Sequence, residues 1–116
     1  MKFPFDDREF DVVLSASLVN LVPDRVALFA SMARVLRPGC VALVLFPSPD
    51  FTLDQVERLA SSLTVMSRAA LRLWASMAPN CNPDAVMRDA EMAGLVGAVC
   101  ATTRIDGVVS VTTQAP

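Results

Sequence analysis

Two rhythms of apolar residues alternate along this chain. From Cys40 to Phe46, valines, leucines and a phenylalanine run on without alternation, the pattern of a strand buried on both faces, while Asp11 to Ser15 reads as a shorter strand ending in small residues. Between them, in "PDRVALFASMARVL", Val26, Phe29, Met32, Ala33 and Leu36 recur at helical spacing, while Arg25, Ser31 and Arg34 fall away from that stripe. Pro23 suits the first turn of such a helix, where its missing N–H costs nothing. Gly39, after Arg37 and Pro38, suits a left-handed cap that ends it. Strand, helix and strand in this order predict a parallel βαβ unit with a right-handed crossover and its second strand inside the sheet.

The stretch "PSPDF" then breaks the pattern. Thr52 with Gln55 three residues on has the form of a capping box, and Leu53, Val56, Leu59, Ala60 and Leu63 supply a stripe behind it. A further helical segment from about Ser67 to Met77 carries Leu71, Trp74 and Met77. Asn82 and Pro83 open a third helix as N-cap and first residue, closing at Gly94. The tail reads as two strands joined by a tight turn at Asp106-Gly107. The fold class is therefore α/β: a mixed sheet of about four strands, two parallel plus a C-terminal antiparallel hairpin, with flanking helices.

Composition narrows the function. At 116 residues and 53% hydrophobic, the chain suits one domain with ample surface to bury. Its longest apolar run is far short of a membrane span, and "MKFPFDDREF" lacks the apolar core of an export signal, so a cytoplasmic home is expected. The net charge is −2 with both signs scattered and no basic stripe, which speaks against nucleic acid. Cys40, Cys81 and Cys100 are too widely spaced for a metal knuckle and odd in number, so they read as buried free thiols. With no histidine in the chain, Ser-His and Cys-His nucleophile pairs are excluded. Asp6, Asp7, Glu9 and Asp11 read as a solvated acidic entry segment.

The lead "PFDDREFDVVLS", the helix start Val22-Pro23-Asp24 and "ARVLRPGC" before the second strand resemble, in order and spacing, the second half of class I S-adenosylmethionine-dependent methyltransferases. "MRDAEMAGL" followed by a hairpin is similar to the end of the same fold. The resemblance implies a Rossmann-like domain in which 1–46 is the βαβ core, 47–82 a variable helical cover and 83–116 the closing helix and hairpin. It implies S-adenosylmethionine as cofactor and methyl transfer to a small molecule. That family binds its cofactor chiefly through a glycine-rich loop after the first strand and acids after the second and third, all of which would precede Met1. The four glycines here, Gly39, Gly94, Gly97 and Gly107, form no G-x-G turn between a strand and a helix.

Site residues follow from the resemblance. Ser15, Ala16 and Ser17 end the first strand, where ligands of open α/β sheets bind, and their backbone would flank the methionine part of the cofactor. Asn20 sits in the loop where relatives carry a residue facing the substrate, although asparagine also favours loops for its own turn chemistry. Trp74, with Met66, Met77, Met87 and Met92, fits either core packing, which helical spacing favours, or a lid over a lipophilic substrate. No catalytic residue and no metal ligand is identified. An alternative is a non-catalytic module that associates, as a homodimer or with a complementing chain, through the open edge of the 11–15 strand.

Overall fold

The computed structural model describes residues 3–59, 64–77, 79–105 and 107–116, with backbone alone at 55, 56, 59, 76 and 77. In chain order the elements are β1 (Phe10–Ala16), α1 (Arg25–Val35), β2 (Leu36–Pro47), α2 (Leu53–Leu59), α3 (Val65–Met77), α4 (Pro83–Met92), β3 (Val96–Thr102) and β4 (Val108–Gln114). The strands form one sheet in the order β1-β2-β4-β3. β1 and β2 are parallel, and β4 runs antiparallel to both of its neighbours. This is the expected mixed α/β sheet, with β2 inside it.

The helix between the parallel strands is shorter than its apolar pattern suggested. Asp24, not Pro23, governs its start, its carboxylate accepting the Ala27 N–H at 3.0 Å, so that Pro23 lies outside the helix. Leu36 is the C-cap, and its N–H donates to the Met32 carbonyl. Gly39 therefore does not end the helix; it lies three residues inside β2 with φ +78°. Its task is a bulge: Phe10 pairs with Leu36 and Val12 with Val41, so a two-residue step on β1 faces a five-residue step on β2. Left-handed φ inside such an irregularity is what glycine tolerates best. The buried face of α1 is Leu28, Phe29, Ser31, Met32 and Val35, rotated from the expected stripe: Ser31 turns inward and Val26 is only half-buried.

The other differences are local. The hairpin turn is wider than a two-residue turn, since β3 ends at Thr102. The Thr103 hydroxyl bridges the carbonyls of Ile105 and Val108 at 3.1 and 2.9 Å; Asp106 lies outside the described residues. Asn82 caps α4 as expected, accepting the Asp84 N–H at 2.9 Å. Of the expected α2 stripe, the side chains of Val56 and Leu59, with Ala60 and Leu63, lie outside the described residues, as does the Gln55 side chain of the capping box. Leu53 is largely exposed.

The main core is built by α1 and α4 on one face of the sheet. Leu28, Phe29 and Met32 of α1 meet Val86 and Ala90 of α4 over Ala42, Val44 and Phe46 of β2 and Val109 and Val111 of β4. Arg25 and Asp89 tie the two helices at 2.7 Å across the edge of that core. The Asp89 hydrogen bond raises the Arg25 pKa against the opposing effect of burial. A second, smaller cluster lies beyond the end of β2: Phe51 and Val108, packed by Leu71, Trp74, Ala75 and Ile105.

Among the described residues the other face of the sheet is covered only where Val108 meets the second cluster, and is open elsewhere. Ladder pairing aligns Leu14, Leu43, Thr112 and Val99 across all four strands, and these residues belong to neither cluster. Leu14 and Val99 are each 62% exposed and Val12 61%. Soluble chains rarely leave contiguous apolar surface of this kind without a partner.

α2 and α3 are clamped together by Arg72, which donates to both Glu57 carboxylate oxygens at 2.7 and 3.0 Å. The Arg72 hydrogen bond holds the Glu57 carboxyl below its usual range. A carboxyl lowered on folding contributes above its unfolded pKa, about 4.3, and that contribution is lost as pH falls through the folded value. Acidification from pH 6 is thus expected to loosen the α2–α3 pair before the main core. Emission of the single tryptophan, Trp74, should change while the far-ultraviolet circular dichroism still reports an intact sheet.

Candidate functional site

The carboxyl end of β1 is where the chain brings polar groups together. Ser15 is buried, on the face packed by α1. Ala16 is exposed on the open face. Ser17 turns the chain with φ +56°, left-handed and uncommon for serine, while its N–H extends the parallel ladder to the Leu45 carbonyl at 2.8 Å. A tight turn follows, in which the Leu18 carbonyl accepts the N–H groups of Leu21 and Val22. That turn drives Val19 into the core and carries Asn20 inward behind it. Asn20 is 7% exposed, and both its amide nitrogen and its amide oxygen are buried without a hydrogen-bond partner among the described residues. Leaving either group unpaired costs about 1–3 kcal/mol.

Two other loops meet this turn. The Cys81 N–H donates to the Pro47 carbonyl at 2.9 Å, and its Sγ lies 4.0 Å from the Val19 carbonyl. Ser48, buried at the end of β2, sends both its N–H and its hydroxyl to the Gly107 carbonyl, each at 2.8 Å. Ser48 was not foreseen from sequence, although a serine between two prolines before Asp50 has the makings of a turn-forming residue. Of the thiols, all free, only Cys81 is buried, while Cys40 and Cys100 are half-buried. Burial, and then Asp84, push the Cys100 thiol up.

The structure does not bring Trp74 to this turn. Its ring stacks at 5.1 Å and 54° on Phe51 in the second cluster, with the indole N–H buried and unpartnered. Of the methionines, Met66 and Met92 are exposed and Met87 packs on the main core. The side chain of Met77 lies outside the described residues. The acidic entry segment is exposed, as expected, with Asp7 paired to Arg34 at 2.8 Å and Asp11 to Arg37 at 2.5 Å.

Two cavities lie away from the turn. One, of about 390 Å³, is lined by Asp7, Arg8, Arg34, Pro38 and Gly94 among others, at the opposite end of the parallel strands. The other, of about 340 Å³, is apolar and lies beside β1. Neither includes Ser15, Ala16, Ser17, Asn20 or Trp74. Among the described residues no cluster of His, Cys, Asp and Glu could hold a metal ion, and no helix is long and apolar enough to cross a membrane.

Residues 1–44 match the family model described as a methyltransferase domain. No curated protein matches the chain. Among solved structures, a S-adenosylmethionine-dependent methyltransferase from Thermotoga maritima is similar over 99% of this chain and 60% of its own, with 14% identity and a TM-score of 0.70. Human N-acetylserotonin methyltransferase, solved in complex with S-adenosylmethionine, is similar over 97% of this chain and 31% of its own, with 14% identity and a TM-score of 0.63. The [4+2]-cyclase SpnF is similar over 99% of this chain and 54% of its own, with 12% identity and a TM-score of 0.64. This chain thus spans less than two thirds of each of these proteins, and a cyclase among them shows that the fold alone does not fix the chemistry. Residues 1–44 group by sequence with the methyltransferase domain family, and the whole chain has a partial class I S-adenosylmethionine-dependent methyltransferase fold.

Proposed function

We propose that this chain supplies the substrate-side part of a methyltransferase that uses S-adenosylmethionine on a small molecule, in the cytoplasm. The observation that carries the reading is the Asn20 amide, buried with donor and acceptor both unpaired at the carboxyl end of β1. A folded chain keeps such a group at a cost to stability, which a ligand with a complementary donor and acceptor would offset. Ser15, Ala16 and Ser17 fit beside it, because small side chains and an exposed strand end allow close backbone approach. S-adenosylmethionine would supply the electrophilic methyl. Ser15 to Ser17 would flank its methionine part and Asn20 would orient the acceptor. Transfer of this kind depends on alignment more than on an acid or base. On this reading 1–46 is the βαβ core, 47–82, with Trp74, the variable helical cover, and 83–116 the closing helix and hairpin.

Calorimetric titration of S-adenosylmethionine into the chain tests this directly. Saturable micromolar binding is expected, and it should survive Asn20→Ala nearly unchanged, since on this reading that residue faces the acceptor and not the cofactor. The same substitution should leave the melting temperature of the free chain unchanged or raised, since it removes an unpaired buried amide. Absence of binding heat from a demonstrably folded chain would sink the cofactor reading. A lower melting temperature for Asn20→Ala would make that residue structural.

A second reading is favoured by the open side of β1. No described strand pairs there, and Val12 and Leu14 stand exposed along it. On this reading the chain works by association through that edge, as a homodimer or with a complementing chain.

A further inference from the structure

We infer that the group read on the substrate is a neutral amide edge, an N–H and a carbonyl oxygen side by side as in a lactam; this rests on the methyltransferase reading above. The Asn20 carboxamide carries its oxygen and its nitrogen on one carbon, in one plane. Both atoms are buried, neither has a partner among the described residues, and the residue is 7% exposed. The two unmet demands are opposite in kind, since the oxygen accepts and the nitrogen donates. One group meets both only if it offers a donor and an acceptor at matching spacing. Asparagine reads such an edge in bidentate fashion wherever it meets one, as on adenine.

That demand turns other groups away. A carboxylate or a phosphate ester only accepts, and would set a negative oxygen against the Asn20 Oδ1. An ammonium only donates, and would crowd the Asn20 Nδ2. Charge on the protein gives neither of them help. The run from Val12 to Pro23 holds no charged residue, and Arg25, which follows it, is spent on Asp89 at 2.7 Å and on the Cys81 Sγ at 3.7 Å. The turn thus offers an ionic group no counter-charge, and a neutral edge loses nothing by that.

The turn also dictates how the edge is reached. Val19, 1% exposed, anchors it in the core, and the Leu18 carbonyl accepts the N–H groups of Leu21 and Val22 at 2.9 and 3.2 Å. Neither of the two cavities described above includes Asn20, and the ligand edge is admitted by a shift of this turn. The backbone amides of Leu21 and Val22 therefore report entry. A site built on a hydrogen-bonding pair rejects analogues that lack one member, because its own group is then left buried and unpaired.

The test is heteronuclear NMR of the chain, with and without S-adenosylmethionine, following the Asn20 side-chain amide, which is assigned by its loss in Asn20→Ala. The probe is δ-valerolactam; its N-methyl derivative lacks the donor, and benzoate offers acceptors only. The lactam should shift the Asn20 amide and the Leu21 and Val22 N–H signals saturably, with both controls weaker by about tenfold or more. Asn20→Asp, which exchanges the donor for a second acceptor, should prefer benzamidine, a pair of donors, to the lactam. Equal response to the lactam and its N-methyl derivative overturns the inference. So does an Asn20 amide held by a buried water that the lactam does not displace, since water then satisfies it. Cofactor binding weakened about tenfold by Asn20→Ala overturns it too, because the amide then faces the adenine edge of the cofactor. Cofactor heat is read apart from the lactam, so loss of the lactam response with that heat intact removes the substrate class and leaves the cofactor reading in place.

Discussion

Replacing Gly107 by alanine lowers the stability of the chain by about 3 kcal/mol or more, read as a fall of about 10–15 °C in the unfolding midpoint. Two costs coincide there. Gly107 has φ +88°, and a Cβ built on it would lie 2.5 Å from the Phe51 Cα and 2.6 Å from the Phe51 nitrogen. These are backbone atoms, so they cannot swing aside as a side-chain tip would. The Gly107 carbonyl is also the acceptor for both Ser48 donors, so moving Gly107 breaks two hydrogen bonds that root the loop after β2. Gly39→Ala separates the two costs. Its φ is +78° but nothing lies within 4 Å of its Cβ position, and only the backbone term, about 1–2 kcal/mol, is expected. Equal losses at the two sites would show that the contact with Phe51 is not made.

Phe29→Ala is expected to cost about 3–5 kcal/mol, the range for emptying a fully buried aromatic site. Phe29 is completely buried where α1 meets the sheet, in one cluster with Leu28, Met32, Val44 and Phe46. For a domain stabilised by about 5–15 kcal/mol, that is a large share, and urea titration should show the midpoint falling by about a fifth or more. Leu14→Ala is the matched comparison on the open face. An apolar side chain 62% exposed in an unpaired monomer loses almost nothing, within about 0.5 kcal/mol. A Leu14→Ala loss that grows with protein concentration would instead report the paired edge. Phe29→Ala should be indifferent to concentration.

Much of this architecture is written in local patterns. The unbroken apolar run of β2 announced an interior strand, and an interior strand it is, between β1 and β4. Asn82 and Pro83 announced the start of α4, because a capping side chain and a proline act on the nearest backbone whatever lies beyond. The misreadings came where long-range contacts overrule local preference. Gly39 looks like a helix stop, but β1 pairs with Leu36 before the glycine is reached, and the glycine serves the bulge instead. Ser31 looked solvent-facing because helical spacing cannot see that α4 packs against the neighbouring turn. The hairpin widened to 103–107 because the Thr103 hydroxyl takes up the carbonyls a tighter turn would have used. As for the candidate site, sequence resemblance pointed to Ser15, Ser17 and Asn20, yet only the fold reveals that the Asn20 amide is buried with nothing to bind. Trp74 went to a different place because Phe51, an unremarked residue in a proline-rich break, offers it an aromatic partner.

The separation of the second cluster from the main core has a consequence for how the chain opens. α3 rests on Phe51 and Val108 through Leu71, Trp74 and Ala75, with Ile105 beside them, and no described side chain of α2 or α3 belongs to the cluster held by α1 and α4. Cooperative units of a native protein follow such divisions, and each opens at its own free energy. Amide hydrogens of α3 should therefore exchange with solvent orders of magnitude sooner than those of β2, through an opening that leaves the sheet folded. Ser48 and Gly107 mark the hinge of that opening, since they are held on the sheet side while Phe51 travels with the helices.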